Sequence, residues 1–293
     1  MISSRNVEGR NMGYSATVIA DSVSSAGHRL TTMEVCFPRM VLAEFNTHRT
    51  FSRNSASSRA IPFAKQVERI LAEPYVPSYW GANQKGMQAE TQIKEEDRKI
   101  ARMEWLKARS EAVKHAMIFN DLDVHKQLVN RLLEPFMWHT VIVTATEWSN
   151  FFALRANEMA QPEIREVAEL MKKAYEASRP KTVKDDEWHL PLIQPEEYDG
   201  TFEHTIDARK ISAARCARVS YLTHDGKRDL EADIVLYERL TSGGHMSPLE
   251  HVARPLTKDE LADSDWRGNF RGWMQLRKLV PNEHDYSQVE KTD

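Results

Sequence analysis

Residues 15–37, SATVIADSVSSAGHRLTTMEVCF, are the stretch that decides the fold of this chain. Two segments within it, residues 15–23 and residues 29–37, are rich in β-branched residues, and a Ser-Ala-Gly turn separates them. Runs of this kind on either side of a turn are typical of paired strands. The sequence therefore predicts a β-hairpin, with Pro38 ending its second strand.

Helical periodicity describes most of the remaining chain. A short helix is predicted at residues 40–48, where Val41, Leu42 and Phe45 share one side. The other predicted helices span residues 91–118, 124–133, 147–178, 206–221 and 229–240. Together with the hairpin, these helices indicate a mixed α+β class with a helical majority.

The longest helical pattern, residues 91–118, carries an apolar stripe at helical spacing. The stripe comprises Ile93, Ile100, Met103, Leu106, Ala112 and Met117. Prolines set limits on the helices that follow. Pro135 is expected to break the helix at 124–133. Pro162 either kinks the helix at 147–178 or begins a new one.

Three segments lack a regular period. Residues 49–62, RTFSRNSASSRAIP, are too polar for a buried element. Residues 63–90 have the Pro, Gly and Trp content of irregular surface structure, and residues 179–203 are Pro- and Asp-rich and predict a loop crossing.

Composition places the chain among globular proteins. It has 293 residues, of which 41% are hydrophobic and 28% are charged, and its net charge is -3. Such a balance supports an apolar core. We expect one domain, residues 1–293, in which residues 63–120 and 179–205 are insertions or surface elements.

The charge and hydropathy patterns exclude several function classes. A slightly acidic chain without a basic stripe does not fit a nucleic-acid-binding module, so anions must be bound by a few placed Arg residues. The sequence has no run of 18 apolar residues, which argues against a membrane span. The polar N-terminus lacks a signal core, so we expect a cytoplasmic protein.

Cysteine chemistry is also limited. The two cysteines, Cys36 and Cys216, are too few for a disulfide framework or a Cys-based zinc site. Cys36 lies in a strand-like segment and Cys216 in a helix of small residues, so both are interpreted as buried small hydrophobic residues. No metal site is expected.

The most informative polar segment runs from His48 to Arg59, in the pattern His48-Arg49-x-x-Ser52-x-Asn54-x-x-Ser57-x-Arg59. Hydroxyls, backbone N–H groups and guanidinium groups at this density can converge on one phosphate. Composition alone leaves a second interpretation open, an exposed polar loop that binds nothing.

The spacing of this segment resembles the signature of flavin-dependent thymidylate synthases, which is Arg-His-Arg, seven residues, and then Ser. In this chain Thr47 replaces the first Arg, and Ser55 stands where the family commonly has Glu. The resemblance implies the family's fold, a central antiparallel sheet with a helical majority. The two departures bear on which pyrimidine nucleotide is bound.

Further segments resemble the same family. Residues 244–251, GHMSPLEH, are similar to its Gly-His-x-Ser/Thr-Pro-Phe-Glu-His turn, and residues 214–221, ARCARVSY, to its Ala-Ala-Arg-Val-Ser segment. A metal site or a plain loop is the alternative for residues 244–251, and the absence of an HExxH arrangement weakens the metal reading. Small residues with Arg also simply pack helices, which is the alternative for residues 214–221.

Two helical segments complete the resemblance. Residues 150–155, NFFALR, and 160–165, AQPEIR, are similar to the family's Asn-Phe-x-x-Leu-Arg and Ala-Gln-x-Glu-Ile. Residues 131–135, RLLEP, are similar to its Arg-x-x-Leu-Pro, whose Arg reaches a nucleotide bound mainly by another subunit. A solvated helix face is the alternative for Arg131 and Arg155.

The order of these segments differs from the family's order. The Ala-Arg-Val-Ser and Ser-Pro-Phe-Glu-His segments normally precede the His-Arg loop, whereas here they follow residue 210. The sequence therefore resembles a circular permutation, which keeps a site intact because geometry, not chain order, defines it. Residues 270–278 stand where the His-Arg loop would normally follow, as a relic or a replacement of it.

The resemblance implies roles for individual residues. The FAD contacts are expected at His48, Arg49, Asn54, Asn150, Ser220, Ser247 and Glu250, with His245 lining the pocket. The nucleotide contacts are expected at Glu44, Thr47, Ser55, Ser57, Ser58, Arg59, Arg131 and Arg155. The catalytic residues are expected to be His48, Arg49 and Arg155, and His48 either holds the flavin or donates protons.

The implied reaction is the reductive methylation of dUMP to dTMP. Methylenetetrahydrofolate supplies the carbon, and FAD reduced by NADPH supplies hydride without a protein nucleophile. A homotetramer is implied, because the site is divided among segments and subunits. The alternatives are a hydroxymethylase acting on dUMP or dCMP and an inactive nucleotide-binding paralogue.

Overall fold

A five-stranded sheet forms the centre of the protein. The computed structural model describes residues 13–194, 205–219, 229–281, 283–285 and 287. The strands of the main sheet are β1 (Ser15–Ser24), β2 (Arg29–Pro38), β3 (Ser52–Ser55), β4 (Trp138–Ala145) and β5 (Lys181–Val183), in the spatial order β3-β4-β2-β1-β5. All neighbours are antiparallel except β1 and β5, which are parallel.

The predicted hairpin is confirmed. β1 pairs with β2 in an antiparallel register in which Ala16 lies opposite Val35 and Val23 opposite Arg29. Gly27 in the connecting turn has a φ of 84°, a conformation that L side chains rarely adopt. Pro38 is the last residue of β2, where its missing N–H costs no central ladder bond.

β4, which lies between β2 and β3, is absent from the sequence predictions. One side of the sheet carries Val141, Val143 and Ala145, and the other carries Ile142 and Thr144. All five side chains are fully buried. A strand buried on both faces shows a continuous apolar run instead of an alternation, so periodicity does not distinguish it from other buried segments.

The prediction that residues 49–62 are too polar to be buried was wrong. Their middle forms β3, which pairs with β4, and Phe51, Ser52, Ser58 and Ile61 are buried. The serine side chains tolerate burial because they form hydrogen bonds with distant side chains.

Helices cover one face of the sheet and enclose the largest core cluster. They are α1 (Leu42–Asn46), α5 (Ser149–Arg155) and α6 (Pro162–Ala177). The cluster comprises Met33, Val35, Phe37, Val41, Phe45, Phe51, Val141, Val143, Ala145, Trp148, Phe151, Ile164, Val167, Ala168 and Met171. Pro162 is the first residue of α6, so it begins a new helix instead of kinking a long one.

The opposite face is covered by later segments of the chain. Cys216 and Val219, at the end of α7 (Thr205–Ala217), pack on Ile142. α7 in turn packs on α8 (Leu230–Ser242), whose N-cap is Asp229. The predicted loop crossing at 179–203 was only partly right, because residues 181–183 form β5 and His189 is buried.

The C-terminal part adds a small sheet. It consists of β6 (Ala253–Pro255) and β7 (Trp273–Gln275), which pair antiparallel, with α9 (Lys258–Ala262) between them in sequence. Trp273 is fully buried against Leu30 and Phe270, which attaches this segment to the main sheet.

The segment between β3 and β4 contains α2 (Phe63–Ala72), α3 (Glu95–Asp121) and α4 (Lys126–Val129). The prediction of irregular structure at 63–90 missed α2, whose Gln66 and Ile70 are buried. After α4 the chain continues as a 3₁₀ helix, Asn130–Phe136, so Pro135 lies inside a helix and does not break one.

Most of the predicted apolar stripe of α3 does not face the core, although Ala112 packs against it. Ile100, Met103 and Met117 are each about half exposed, and the buried residues of α3 are Val113 and Ala116. Only the C-terminal half of α3 packs on α4 and the 3₁₀ helix, so the stripe is left at the surface of this chain.

A buried ion pair ties α7 to α8 and makes a stability prediction possible. Arg215 Nε donates to Asp233 Oδ2 at 3.0 Å, and both side chains are 3% exposed. Asp233→Ala strands a buried cation and is expected to lower the free energy of unfolding by about 3–5 kcal/mol in chemical denaturation. Glu238 is on α8, like Asp233, and forms a more exposed pair with Lys210 of α7. Glu238→Ala is the control and should cost less than about 1 kcal/mol. Equal effects of the two substitutions would contradict this account.

Candidate functional site

The edge strand β3 brings the polar segment to the Ser-Pro-Leu-Glu turn, although the two are far apart in sequence. With its amide nitrogen turned towards Ser247, Asn54 donates to Ser247 Oγ at 3.1 Å and to the Ser247 carbonyl oxygen at 3.3 Å. Ser52 Oγ donates to Glu250 Oε2 at 2.6 Å. Alternate residues of β3 therefore hold both ends of the turn, and a site can form from segments about 200 residues apart.

The C-terminal segment completes this cluster. Gln275 Nε2 donates to Ser52 Oγ at 3.1 Å, to the Glu250 carbonyl oxygen at 3.2 Å and to Asn269 Oδ1 at 2.8 Å. Arg277 Nη1 donates to Glu250 Oε1 and Arg277 Nε to Glu283 Oε1. Both carboxylate oxygens of Glu250 are thus fixed by protein donors.

Sequence reasoning did not name Asn269, Gln275 or Arg277 as site residues. The available signal was the apolar-aromatic stretch at 270–278, which stands at the place of the family's His-Arg loop. This stretch contacts Ser52 and Glu250. These contacts favour the interpretation that it replaces the His-Arg loop over the interpretation that it is a relic of that loop, because a relic has no reason to keep hydrogen bonds to the site.

His48 is buried and neutral. Its ring packs on Phe51 and edge-on against Phe151, with a centroid separation of 4.9 Å for the latter, and its exposed fraction is 8%. Burial, with the nearby cations Arg155 and Arg53, lowers the pKa of His48 to about 4. Arg155 Nε donates to His48 Nε2 at 3.1 Å, so the ring proton of the neutral form lies on Nδ1.

The neutral His48 ring has a consequence for stability. The unfolded chain protonates this imidazole near its ordinary pKa of 6.5, whereas the folded chain resists protonation until about pH 4. Stability is therefore lost as the pH falls through this window. His48 serves better as a positioned, neutral hydrogen-bonding group than as an acid at neutral pH.

Arg53 holds the turn that carries His48. Its Nη1 donates to the carbonyl oxygens of Phe45 and His48, at 3.3 and 3.2 Å. These carbonyls lie at the C-terminal end of α1 and just after it, and each also accepts a backbone N–H. A cation stabilises that end of a helix. Arg53 was not among the predicted site residues.

A second cluster lies where β3 gives way to the loop at Ser58. Ser58 Oγ donates to Glu134 Oε1 at 3.3 Å, and Arg131 Nη1 donates to the same oxygen at 2.9 Å. Two predicted nucleotide ligands are therefore brought together within one chain. Arg39 Nη2 also lies 3.3 Å from Glu134 Oε1. Neither Glu134 nor Arg39 was among the predicted site residues.

Other predicted residues lie at the surface. The exposed ones are Thr47, Arg49, Ser55, Arg59, Asn150, His245 and Ser247, while Ser57 is half-buried. The Thr47 hydroxyl donates to the Glu44 carbonyl oxygen at 2.7 Å. Asn150 lies in the first turn of α5, and Ser220 lies outside the described residues.

A buried chain of side chains connects the turn to the sheet. Ser22, His189, Thr32, Thr144 and His251 form it, with successive separations of 2.8, 2.7, 2.7 and 2.8 Å. Burial lowers the pKa of both His189 and His251 to about 3, so both are neutral. The chain anchors His251, the last residue of the GHMSPLEH segment, to β4.

Two buried polar atoms have no hydrogen-bond partner among the described residues and bear on ligand binding. They are His251 Nε2 and Glu44 Oε2. A buried polar atom without a partner is costly, so such atoms mark places where a ligand or water completes the structure. This donor set, hydroxyl, amide, guanidinium and imidazole, suits an anionic, hydrogen-bonding organic ligand. Within the described part of the chain, no three His, Cys, Asp or Glu side chains form a potential metal cluster.

Comparison with known proteins gives the following. Residues 8–181 match the family model described as thymidylate synthase complementing protein. No curated protein matches the chain. Among solved structures, the UMP/dUMP methylase PolB from Streptomyces cacaoi bound with 5-Br UMP aligns with a TM-score of 0.48 and 17% identity, over 56% of this chain and 88% of that chain. The structure of the same methylase bound with 5-Br dUMP aligns with a TM-score of 0.47 and 17% identity, over 56% of this chain and 90% of that chain. No helix in the described ranges has the length and apolarity to cross a membrane.

The contact between Arg155 and His48 makes a prediction for NMR. In Arg155→Gln the pKa of His48 is expected to rise, because the guanidinium no longer opposes protonation, and to stay below 6.5, because the ring is still buried. Histidine ¹⁵N and ¹³C shifts followed against pH report both the pKa and the tautomer. Arg165→Gln, on the surface of α6, is the control and should leave His48 unchanged. A His48 that titrates at its ordinary pKa in the unsubstituted protein would refute the neutral, buried assignment.

The hydrogen bonds of Ser52 lead to a second prediction, on stability. Ser52 is fully buried and joins β3 to Glu250 and Gln275. Ser52→Ala leaves these partners short of a hydrogen bond and should lower the free energy of unfolding by about 1–3 kcal/mol. It should also speed proteolysis of the C-terminal segment, because that segment docks through Gln275. Ser149→Ala, at an exposed position on α5, should change neither. A Ser52→Ala protein with unchanged stability and proteolysis would show that Ser52 does not hold the segment.

Proposed function

Because the chain belongs to the family of thymidylate synthase complementing proteins, the flavin-dependent thymidylate synthases, we propose that it converts dUMP to dTMP by reductive methylation. The proposed carbon donor is methylenetetrahydrofolate, and the proposed reductant is FAD that NADPH has reduced. The observation that carries the proposal is the joining of β3 to the Ser247–Glu250 turn through Asn54 and Ser52. This contact unites the two segments that resemble the family's cofactor and nucleotide motifs.

The flavin is assigned to the side of β3 that holds the turn. Asn54, Ser247 and Glu250 would hold it, with His48, Arg49, Asn150 and Ser220 as further proposed contacts. When bound, the flavin supplies the hydride chemistry. The protein's part is to fix the turn, which it does through Ser52, Gln275 and Arg277 on Glu250. The unpartnered, buried Nε2 of His251 next to Glu250 fits a bound ligand at this place.

The proposed nucleotide ligands lie at both ends of the polar segment, and the phosphate is assigned to the end that carries Ser58 and Arg131. The nucleotide's proposed ligands are Glu44, Thr47, Ser55, Ser57, Ser58, Arg59, Arg131 and Arg155. Arg155 is held by His48, so its remaining N–H groups are oriented towards a carbonyl or phosphate oxygen at little entropic cost. The unpartnered Oε2 of Glu44 is an acceptor for a ligand N–H or O–H.

The cysteines support a route without a protein nucleophile. Cys36 and Cys216 are both buried, and burial raises the pKa of the Cys36 thiol to about 11 and that of the Cys216 thiol above its usual range. A thiolate is the form that attacks carbon, so neither side chain is poised to add to the pyrimidine ring. Hydride from a flavin does not require such an addition.

A homotetramer and a cytoplasmic location are part of the proposal. The exposed apolar side chains along α3 and at Leu122 just after it support an oligomer, since exposed apolar surface is typical of an interface. They are Ile100, Met103, Met117, Ile118, Phe119 and Leu122. The surface positions of Arg49 and Asn150 fit a site that is completed by a neighbouring subunit.

A second candidate changes the product but keeps the site. Thr47 and Ser55 depart from the family pattern and are both exposed, at positions proposed for the nucleotide. A different pyrimidine, or a hydroxymethyl product on dUMP or dCMP, is the corresponding alternative. Product mass distinguishes these outcomes.

The test is an absorbance experiment on the purified, FAD-reconstituted protein. Under anaerobic conditions NADPH should bleach the flavin band, and dUMP with methylenetetrahydrofolate should restore it, with dTMP found by mass spectrometry. Arg155→Ala should bind FAD but lower turnover by about a hundredfold or more, the size of effect of a lost transition-state hydrogen bond. Arg165→Ala on α6 is the matched control. Flavin that reduces but is reoxidised only with another pyrimidine would favour the second candidate, and failure to bind FAD would refute both.

A further inference from the structure

Two hydrogen-bond donors and a second guanidinium, which forms an ion pair, converge on one carboxylate oxygen at the proposed phosphate end of the site. Arg131 Nη1 lies 2.9 Å from Glu134 Oε1, and Arg39 Nη2 and Ser58 Oγ each lie 3.3 Å from the same atom. Two guanidinium groups and a hydroxyl directed at one oxygen form the arrangement that proteins use for a phosphate oxygen. We call Arg39, Ser58 and Arg131 the oxyanion cradle.

Two members of the cradle, Ser58 and Arg39, are held in place by contacts that do not involve Glu134. Asn130 is fully buried, and its Nδ2 donates to the carbonyl oxygens of Ser58 and Ile61 at 2.7 and 3.1 Å. Arg39 Nη1 lies 3.1 Å from Nδ1 of His139, whose pKa burial lowers to about 3, so that ring is neutral. Ser58 and Arg39 therefore stay in position if the carboxylate leaves.

Glu134 is placed so that it can leave. Its side chain is 24% exposed, and that of Arg131 is 48% exposed, so the cradle is open to solvent on the Arg131 side. Glu134 also stands at the Leu position of the Arg-x-x-Leu-Pro pattern that residues 131–135 resemble. A carboxylate there adds a negative charge that leucine does not bring.

We propose that Glu134 is an internal competitor for the phosphate of the nucleotide. Its Oε1 occupies the place of a phosphate oxygen, and the phosphate monoester of the substrate displaces it from Arg39, Ser58 and Arg131. This inference rests on the proposed function for the identity of the ligand, and it adds Arg39 as a phosphate ligand and Glu134 as the residue that sets affinity. A carboxylate that must first be displaced weakens the binding of the competing anion.

The experiment measures nucleotide affinity in Glu134→Gln by calorimetry on the full chain. Gln keeps the shape but loses the charge, so dUMP is expected to bind about tenfold more tightly, since a charge-assisted hydrogen bond no longer competes. Deoxyuridine, which has no phosphate, should bind equally to both proteins. Glu134→Leu should show the same direction as Glu134→Gln.

Controls separate competition from general charge effects. Glu169→Gln removes a carboxylate from another Arg–Glu pair, with Arg165 on α6, at the same change in net charge. It should leave dUMP affinity unchanged. The substitutions Arg131→Ala and Arg39→Lys should both weaken dUMP binding, because each removes a guanidinium from the cradle. Unchanged or weaker dUMP binding in Glu134→Gln, or an equal gain for deoxyuridine, would overturn the proposal.

A second experiment tests the oxyanion cradle even if dUMP is not the substrate. Inorganic phosphate, at constant ionic strength against chloride, should raise the melting temperature of Glu134→Gln more than that of the unsubstituted protein or of Glu169→Gln. That result with no dUMP binding would retain the cradle and reject the proposed nucleotide. The same small shift in all three proteins would reject the cradle, whatever the reaction.

Discussion

The site depends on the antiparallel pairing of β3 with β4. β4 is buried on both faces, so its position is fixed by the core, and β3 takes its register from it, with Ser52 opposite Thr144 and Asn54 opposite Ile142. Side chains of a strand alternate between faces, so Ser52 and Asn54 point the same way. Both point towards the turn at Ser247–Glu250, which is how a short polar segment comes to organise contacts from three parts of the chain.

The order of the segments along the chain matters less than this geometry. The family match ends at residue 181, after the His-Arg loop and the Leu-Arg helix, and the two remaining motif-like segments lie beyond it. They reach the sheet through two buried connections. One is the Ser22–His189–Thr32–Thr144–His251 chain of hydrogen bonds, and the other is the packing of Cys216 and Val219 on Ile142. Buried chains of hydrogen bonds favour one arrangement, which suits a site assembled from distant segments.

Sequence reasoning could predict the hairpin, since β-branched runs around a Gly turn are a local signal, and it could identify the segments that form the site. It could not predict β4, whose burial on both faces removes the alternation, or the exposure of Ile100 and Met103, which depends on what packs on α3. The residues that fix the site, among them Arg39, Glu134 and Gln275, act through contacts with residues far away in sequence. Their residue types are unremarkable, and only the fold shows what they touch.

The electrostatics of the site follow from the same contacts. The chain as a whole is slightly acidic, so long-range attraction of an anion is weak, and binding must come from placed cations. These cations are already oriented by the protein: Arg53 by the carbonyl oxygens after α1, Arg155 by neutral His48, and Arg277 by Glu250. A guanidinium that is held before the ligand arrives loses little side-chain entropy on binding. Since His48 is neutral, it holds Arg155 without cancelling its charge, whereas Glu134 cancels the charge of Arg131 until a stronger anion replaces it. The two ends of the polar segment therefore differ: at one end a neutral ring holds the cation, and at the other a carboxylate does.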